Sequence, residues 1–295
     1  MHPTISDFLE SLRSEGRSPK TVDTYRGVLM KFIQWFEETT GEAFAPKNVT
    51  DLDAAAYKRY LLSHAKPATI NKTRITLKRY FDWLVNQGII PESPMKGSRP
   101  VKQGRRAPRW LDRKEQLALL RAAKKEGKSR DIAIIQLLLH AGLRVEELCN
   151  LRLEDVELSE RKGKVIVRQG KGGKWREVPL NRDARAALKK WLEDRRSDGP
   201  WLFTSSRSEQ MTPRAVQLVV KKYGERAGLE RCTPHTLRHT FCHELAVKGV
   251  PLDVIATLAG HMKSNGQPNI STTVIYTTPG DQDLRRAVDL LSWEA

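Results

Sequence analysis

Apolar residues in the first hundred positions recur at intervals of three and four, the spacing that gathers side chains along one side of an α-helix. Four helices are expected there. Thr4 or Ser6 caps the first, and Ser18 followed by Pro19 opens the second, in which Val22, Tyr25, Val28, Leu29, Phe32 and Trp35/Phe36 form an apolar stripe that stops at Gly41. Thr50 and Asp51 begin a third helix through Ala54–Leu62, and Pro67 opens a fourth that carries Ile70, Leu77, Tyr80, Phe81 and Leu84 before Gly88. Such stripes read as core. Lys72, Arg74, Lys78 and Arg79 stand between the apolar positions of the fourth helix, a basic face that suits phosphates and equally suits plain solvation.

From Trp110 the period changes. Helices are expected over Asp112–Lys125 and Ser129–His140, and another starts close to Arg144 behind the Ala141-Gly142 break. Three short strands follow, Glu154–Leu158, Lys164–Gln169 and Trp175–Leu180, with Gly170-Lys171-Gly172-Gly173 as the turn between the last two. Later helices cover Arg182–Arg195, Thr212–Ala227, Pro234–Lys248, Leu252–Ala259 and Asp283–Ser292. Between the two patterns, KGSRPVKQGRRAPR holds Lys96, Arg99, Lys102, Arg105, Arg106 and Arg109, with no acid and with Pro and Gly breakers, and reads as an extended basic linker. The expected architecture is mainly α with a small β-sheet: a helical domain over 1–95, a linker over 96–109 and an α+β domain over 110–295.

The 295 residues include 52 Lys and Arg against 35 Asp and Glu, a net charge of +17 that argues for a polyanionic partner. With 39% hydrophobic residues the chain buries a real core, and one or two domains are expected. No apolar run approaches the roughly 18 to 20 residues that span a bilayer. The start, MHPTISDFLESLRSEG, has no apolar signal-like core, so a cytoplasmic, nucleoid-associated protein is expected. Cys149, Cys232 and Cys242 form no C-x-x-C pair, which argues against a disulfide framework and a Cys-rich zinc ribbon. The first hundred residues hold 15 basic and 11 acidic side chains, and the rest hold 37 and 24, so +13 of the +17 lies in the second part. Charge alone separates nucleic acid from an anionic membrane surface only weakly, and arrangement has to decide.

Four local sequences carry candidate chemistry. In AGLRVEEL, Arg144 opens a helix after a glycine break and Glu147 stands three residues on, where its carboxylate reaches back to the guanidinium. An oriented Arg clamps a phosphate oxygen, while a surface ion pair is the plain alternative. In RQGKGGKWREVPL a glycine-rich tip carries Lys171 and Lys174; it does not match the NTPase pattern G-x-x-x-x-G-K-[ST]. A lysine there either protonates a leaving oxygen or simply touches backbone or solvent. In TPHTLRHTFCHEL, His235 and Arg238 share a helix face, and His235, His239 and His243, with Cys242 nearby, also make a zinc-like face. The metalloprotease pattern H-E-x-x-H fails, because His243-Glu244 is followed by Val247. In LAGHMKSNGQPNISTTVIYTTPG, His261 follows a glycine break and Tyr276 lies between Ile275 and Thr277, a place where a tyrosine is ordinarily core.

Taken in order, AGLRVEEL, GKGGK, HTLRH, LAGH and STTVIYT resemble the tyrosine recombinase (phage integrase) family, its Xer-like bacterial members being nearest in length and layout, over nearly the whole chain. The resemblance implies a two-lobed clamp, an N-terminal helical DNA-binding domain plus a catalytic domain, that cleaves and rejoins DNA at a specific recombination site through a 3′-phosphotyrosyl intermediate, without metal, ATP or other cofactor. It makes Arg144, Lys171, His235, Arg238 and His261 the catalytic surround, with His261 a further donor to the phosphate. Tyr276 becomes the nucleophile and Glu147 the support of Arg144. Lys72, Arg74, Lys78, Arg105, Arg106 and Lys174 become contacts to duplex DNA. The tail places Leu284, Val288, Leu291 and Trp293 on one helical face, which simple packing on its own domain would also explain; the resemblance implies docking on a neighbouring protomer in a homo-tetramer on paired sites, without a membrane and with the need for accessory proteins left open. One departure stands out: His261 and Tyr276 are 15 positions apart, more than in Xer-like members, and the extra segment Lys263–Asn269 reads as a loop insertion. The rival readings are a DNA-binding protein of this fold without chemistry, a type IB topoisomerase-like enzyme, and a zinc hydrolase resting on the histidine spacing alone.

Overall fold

The computed structural model describes residues 2–104, 108–168, 175–205, 208–263, 265–274, 288, 289 and 291, and the chain divides into two units, Met1–Arg105 and Arg106–Ala295. In the first unit, α1 spans Pro3–Ser14, α2 Pro19–Thr40, α3 Asp51–His64 and α4 Pro67–Asn86. The Ser18 hydroxyl accepts the Thr21 N–H at 3.2 Å, Gly41 closes α2 in the left-handed conformation, and Thr50 and Asp53 form a reciprocal capping box on α3. The first helix differs from expectation: its cap is His2 rather than Thr4 or Ser6, because the Thr4 hydroxyl bonds Tyr80 Oη at 2.7 Å and the helix begins at Pro3. The predicted stripes meet in one core, where Phe32 packs edge-on against Tyr57 and Phe81.

The stretch expected as linker is partly bound to this unit. Asn71 mimics a backbone pair, donating through Nδ2 to the Val101 carbonyl at 2.9 Å and accepting the Val101 N–H at 2.8 Å. Arg74 donates to the Ser98 carbonyl and Lys58 to that of Arg99. The division between Arg105 and Arg106 falls inside the expected linker 96–109, whose first part, through Val101, is bound to the first unit.

In the second unit, α5 (Arg113–Lys125) starts from an Asp112–Glu115 capping box, and α6 (Ser129–His140) runs almost wholly buried through the core with α8 (Arg182–Asp194) along it. A short helix, α7 (Val145–Cys149), precedes three antiparallel strands, β1 (Val156–Leu158), β2 (Gly163–Val167) and β3 (Arg176–Pro179), in the order β1-β2-β3 with Val165 opposite Val178. The first strand is shorter than expected because Leu153–Asp155 form a 3-10 turn, in which Asp155 accepts the Arg152 N–H at 2.9 Å. Then come α9 (Pro213–Arg226), α10 (Pro234–Val247), α11 (Leu252–Ala259) and a short unexpected helix, α12 (Ile270–Thr273).

The extra segment before α12 is pinched at its base. The Asn269 N–H donates to the His261 carbonyl at 2.6 Å, and Lys263 N–H to that of Gln267 at 2.8 Å. The expected helix Asp283–Ser292 and the hairpin tip Gly170–Gly173 lie outside the described residues, apart from positions 288, 289 and 291. No helix among the described residues is long and apolar enough to cross a membrane.

Gly142 joins α6 to α7 at φ 58°, and a Cβ built there would lie 2.2 Å from the Phe241 ring of α10. Only glycine fits, on grounds of both backbone and space. Gly142→Ala is expected to cost about 2 to 4 kcal/mol in urea unfolding, from left-handed strain plus overpacking; an unchanged midpoint would contradict this packing.

Candidate active site

A helix ends with carbonyl groups that lack intrahelical donors and with the negative pole of its dipole. At the end of α11 these acceptors are filled by three arginines from three elements. Arg176, at the start of β3, donates through Nε to the Leu258 carbonyl at 2.9 Å. Arg238 of α10 donates through Nη2 to that of Ala259, and Arg144, the residue capping α7, through Nη2 to that of Gly260 at 2.9 Å. Gly260 adopts φ 67°, and a Cβ on it would come within 2.6 Å of Arg176 Nη1. The same glycine thus turns the chain and lets the guanidinium groups close in.

Glu147 lies behind them, 4% exposed. Its Oε1 accepts from Arg144 Nη1 at 2.7 Å and Arg176 Nη1 at 3.1 Å. Its Oε2 accepts from the Arg144 backbone N–H and Arg176 Nη2, both at 2.8 Å, and Arg238 Nη1 stands 4.0 Å away. Burial alone would raise its pKa, but the hydrogen bonds and charge of Arg176, then those of Arg144, hold it at about 2. Arg238 is 1% exposed and donates to the Gly142 carbonyl at 2.5 Å, which explains the demand on that turn.

His261 follows Gly260 and is 5% exposed. Its Nε2 is 2.7 Å from Arg238 Nη2, and since a guanidinium only donates, Nε2 accepts. The network then assigns the ring proton to Nδ1, which faces the Thr273 hydroxyl at 3.2 Å, while that hydroxyl donates to the Asn269 carbonyl. Burial, then the charges of Arg238, Arg144 and Arg176, push His261 to about 3, so it is neutral at pH 7. In this arrangement the ring bridges Arg238 of α10 and Thr273 of α12.

His235 stands at the second position of α10 on the cleft, and partial desolvation of its ring, followed by the charges of Arg238 and Arg144, lowers its pKa below the ordinary histidine value. Burial, then His235 and Arg238, push His239 to about 4. His243 instead stacks on Trp110 with ring centroids 4.1 Å apart. Among the described residues no three His, Cys, Asp or Glu side chains gather as a metal site. Arg144, His235 and Arg238 open onto a cleft of about 540 Å³ whose other wall includes Arg214, Gln217 and Lys221 of α9.

Lys171, Lys174, Tyr276, Arg105 and Arg106 lie outside the described residues. On α4, Lys72 is exposed, Lys78 is exposed and paired with Asp82, and Arg74 is half-buried with Nη1 donating to the Ser98 carbonyl. Sequence reasoning missed Arg176. Its signal was strand alternation: Arg176 shares the inward side of β3 with buried Val178, where a basic residue needs a partner.

The model of the phage integrase family matches residues 109–283, and that of the phage integrase N-terminal SAM-like domain matches residues 5–88. Tyrosine recombinase XerA of Pyrococcus furiosus is 34% identical over 289 residues, covering 97% of this chain and 92% of its own. Tyrosine recombinase XerD of Ralstonia nicotianae is 33% identical over 291 residues, covering 95% and 91%. Among solved structures, the XerH site-specific recombinase bound to its difH substrate in a pre-cleavage complex superimposes with a TM-score of 0.73 at 23% identity, over 98% of this chain and 84% of that one. A lambda integrase dimer bound to a COC′ core site gives 0.75 at 21% identity, over 100% and 98%.

Glu147 and His261 are both held below their ordinary values, so each contributes stability that is full above its unfolded-state value and lost as pH falls, His261 from 6.5 and Glu147 from 4.5 downward. Urea unfolding between about pH 6 and 4 should therefore show falling stability, with His261→Gln flattening the slope by about 1 kcal/mol per pH unit. An unaltered slope would show that His261 is not held neutral.

Proposed function

Since this chain belongs to the phage integrase family as a Xer-like tyrosine recombinase, an enzyme of site-specific recombination by strand cleavage and exchange, we propose that Tyr276 is its nucleophile and that Arg144, Lys171, His235, Arg238 and His261 surround one scissile phosphate. The observation that carries this reading is the convergence of Arg144 and Arg238, each anchored from behind, on one cleft with His235 at its rim.

A phenol with a pKa near 10 needs a proton acceptor at neutral pH. His235 has that capacity, because its lowered pKa keeps the imidazole neutral. The Tyr276 oxygen attacks phosphorus as its proton passes to His235. The bond to the 5′ oxygen breaks, Lys171 protonates that oxygen, and a 3′-phosphotyrosyl link remains with a free 5′-hydroxyl. Attack by the 5′-hydroxyl of a second strand reverses the step. One phosphodiester replaces another, so bond energy is conserved and ATP has no task. Charge accumulating on the non-bridging oxygens is met by the fixed guanidinium groups of Arg144 and Arg238. Glu147 supports Arg144, and His261 holds Arg238 in aim.

The partner is duplex DNA carrying a specific recombination site, which places the protein in the cytoplasm with the nucleoid. Support comes from the +13 excess beyond the first hundred residues and from the DNA-bound relatives of the same fold. Lys72, Arg74, Lys78, Arg105, Arg106 and Lys174 serve as phosphate contacts. The working assembly is a tetramer on two paired sites, each C-terminal helix docking on the next protomer.

A nicked suicide duplex carrying the recombination site, incubated in EDTA and run on a denaturing gel, should give a covalent adduct with wild type and none with Tyr276→Phe. Arg144→Ala or Arg238→Ala should slow adduct formation roughly 10² to 10³-fold, about 3 to 4 kcal/mol in barrier. Absence of any adduct on the genuine site, or cleavage only with added metal, would overturn the reading.

A further inference from the structure

Arg144 and Arg176 hold the same carboxylate but face different surroundings. The Arg144 side chain is 31% exposed and lines the cleft, whereas that of Arg176 is 11% exposed and sits behind it on β3. Arg176 meets Glu147 with both Nη groups, one to each oxygen, while its Nε reaches the Leu258 carbonyl. Three donors of one rigid plane thus fix the carboxylate relative to the end of α11.

Charge gives this arrangement a consequence. With Arg144 and with Arg238 4.0 Å away, Glu147 leaves a cluster of one net positive charge. Arg176, hydrogen-bonded to both carboxylate oxygens from behind, raises this to two and draws the carboxylate's charge away from Arg144, the most exposed of the three arginines in the cluster. We propose, building on the recombinase reading of this cleft, that Arg176 is a positioning residue for DNA cleavage: it acts through Glu147 to keep Arg144 oriented and net positive towards the scissile phosphate.

The groups facing Glu147 are Arg144 at the start of α7, Arg176 on β3, Arg238 on α10 and His261 after α11. Of these, Arg176 gives the largest downward pull on the carboxyl, so its loss lets Glu147 take up a proton at higher pH. A protonated Glu147 releases Arg144, and cleavage should fail on the acid side earlier than in wild type.

The test compares full-length wild type, Arg176→Met, Arg176→Lys, Glu147→Gln and the Glu147→Gln/Arg176→Met pair. Single-turnover cleavage of the nicked substrate is followed from about pH 5 to 9, together with DNA affinity and the ¹³C-carboxyl titration of Glu147, assigned by its absence in Glu147→Gln. The Met variant should bind DNA as wild type does, lose cleavage by roughly tenfold to a hundredfold and move its acid limb to higher pH, with the Glu147 resonance titrating higher in parallel. Lys keeps the charge with a single reaching group and should fall between the two. Adding Arg176→Met to Glu147→Gln should cause no further loss. A Met or Lys variant with wild-type rate and unshifted Glu147 titration would overturn the proposal, as would an equal loss in the Glu147→Gln background. If wild type itself forms no adduct, the recombinase reading fails, while the carboxyl titration still decides whether Arg176 governs Glu147.

Discussion

The carboxylate of Glu147 sits where three guanidinium groups come together, and the catalytic unit depends on it in a way that no apolar contact could replace. Arg144, Arg176 and Arg238 would repel one another if brought together alone, and burying such charge unpaired costs several kcal/mol per ion. Glu147 offsets this by accepting on both oxygens, and the carbonyl groups at the end of α11 take one donor from each arginine. The result is a fixed cationic surface in which Arg144, the most exposed of the three, lines the cleft.

That surface is built from elements that the apolar core holds apart in sequence and together in space. Buried α6 delivers Gly142, whose carbonyl takes one Arg238 donor; the β-sheet delivers Arg176; α11 delivers three acceptors and, through Gly260, His261. The segment between His261 and α12 is closed at its base by the His261–Asn269 bond, and Thr273 reaches the histidine ring from its far side.

Much of the fold was legible because its signals are local. Ser18-Pro19, Thr50 with Asp53, and Asp112 with Glu115 announce helix starts within four residues, and the stripes behind them are the observed core. In the site, Arg144 with Glu147 and His235 with Arg238 are three residues apart, a spacing that one helical turn brings together. What escaped is long-range. The Thr4 hydroxyl bonds Tyr80, 76 positions away, and Asn71 captures Val101 across 30 positions, binding the first part of the expected linker to the first unit. Arg176 meets Glu147 across 29 positions, and no local pattern announces that partner. Helix α12 is only four residues long, too short for a periodic signal.

In the proposed mechanism this cationic surface serves attack by one tyrosine on one phosphate. Peptide mapping of the covalent protein–DNA adduct formed on a nicked recombination site tests it most directly. The account predicts a single modified peptide with the nucleotide on Tyr276; a nucleotide on any other of the six tyrosines, or on a histidine or serine, would contradict it.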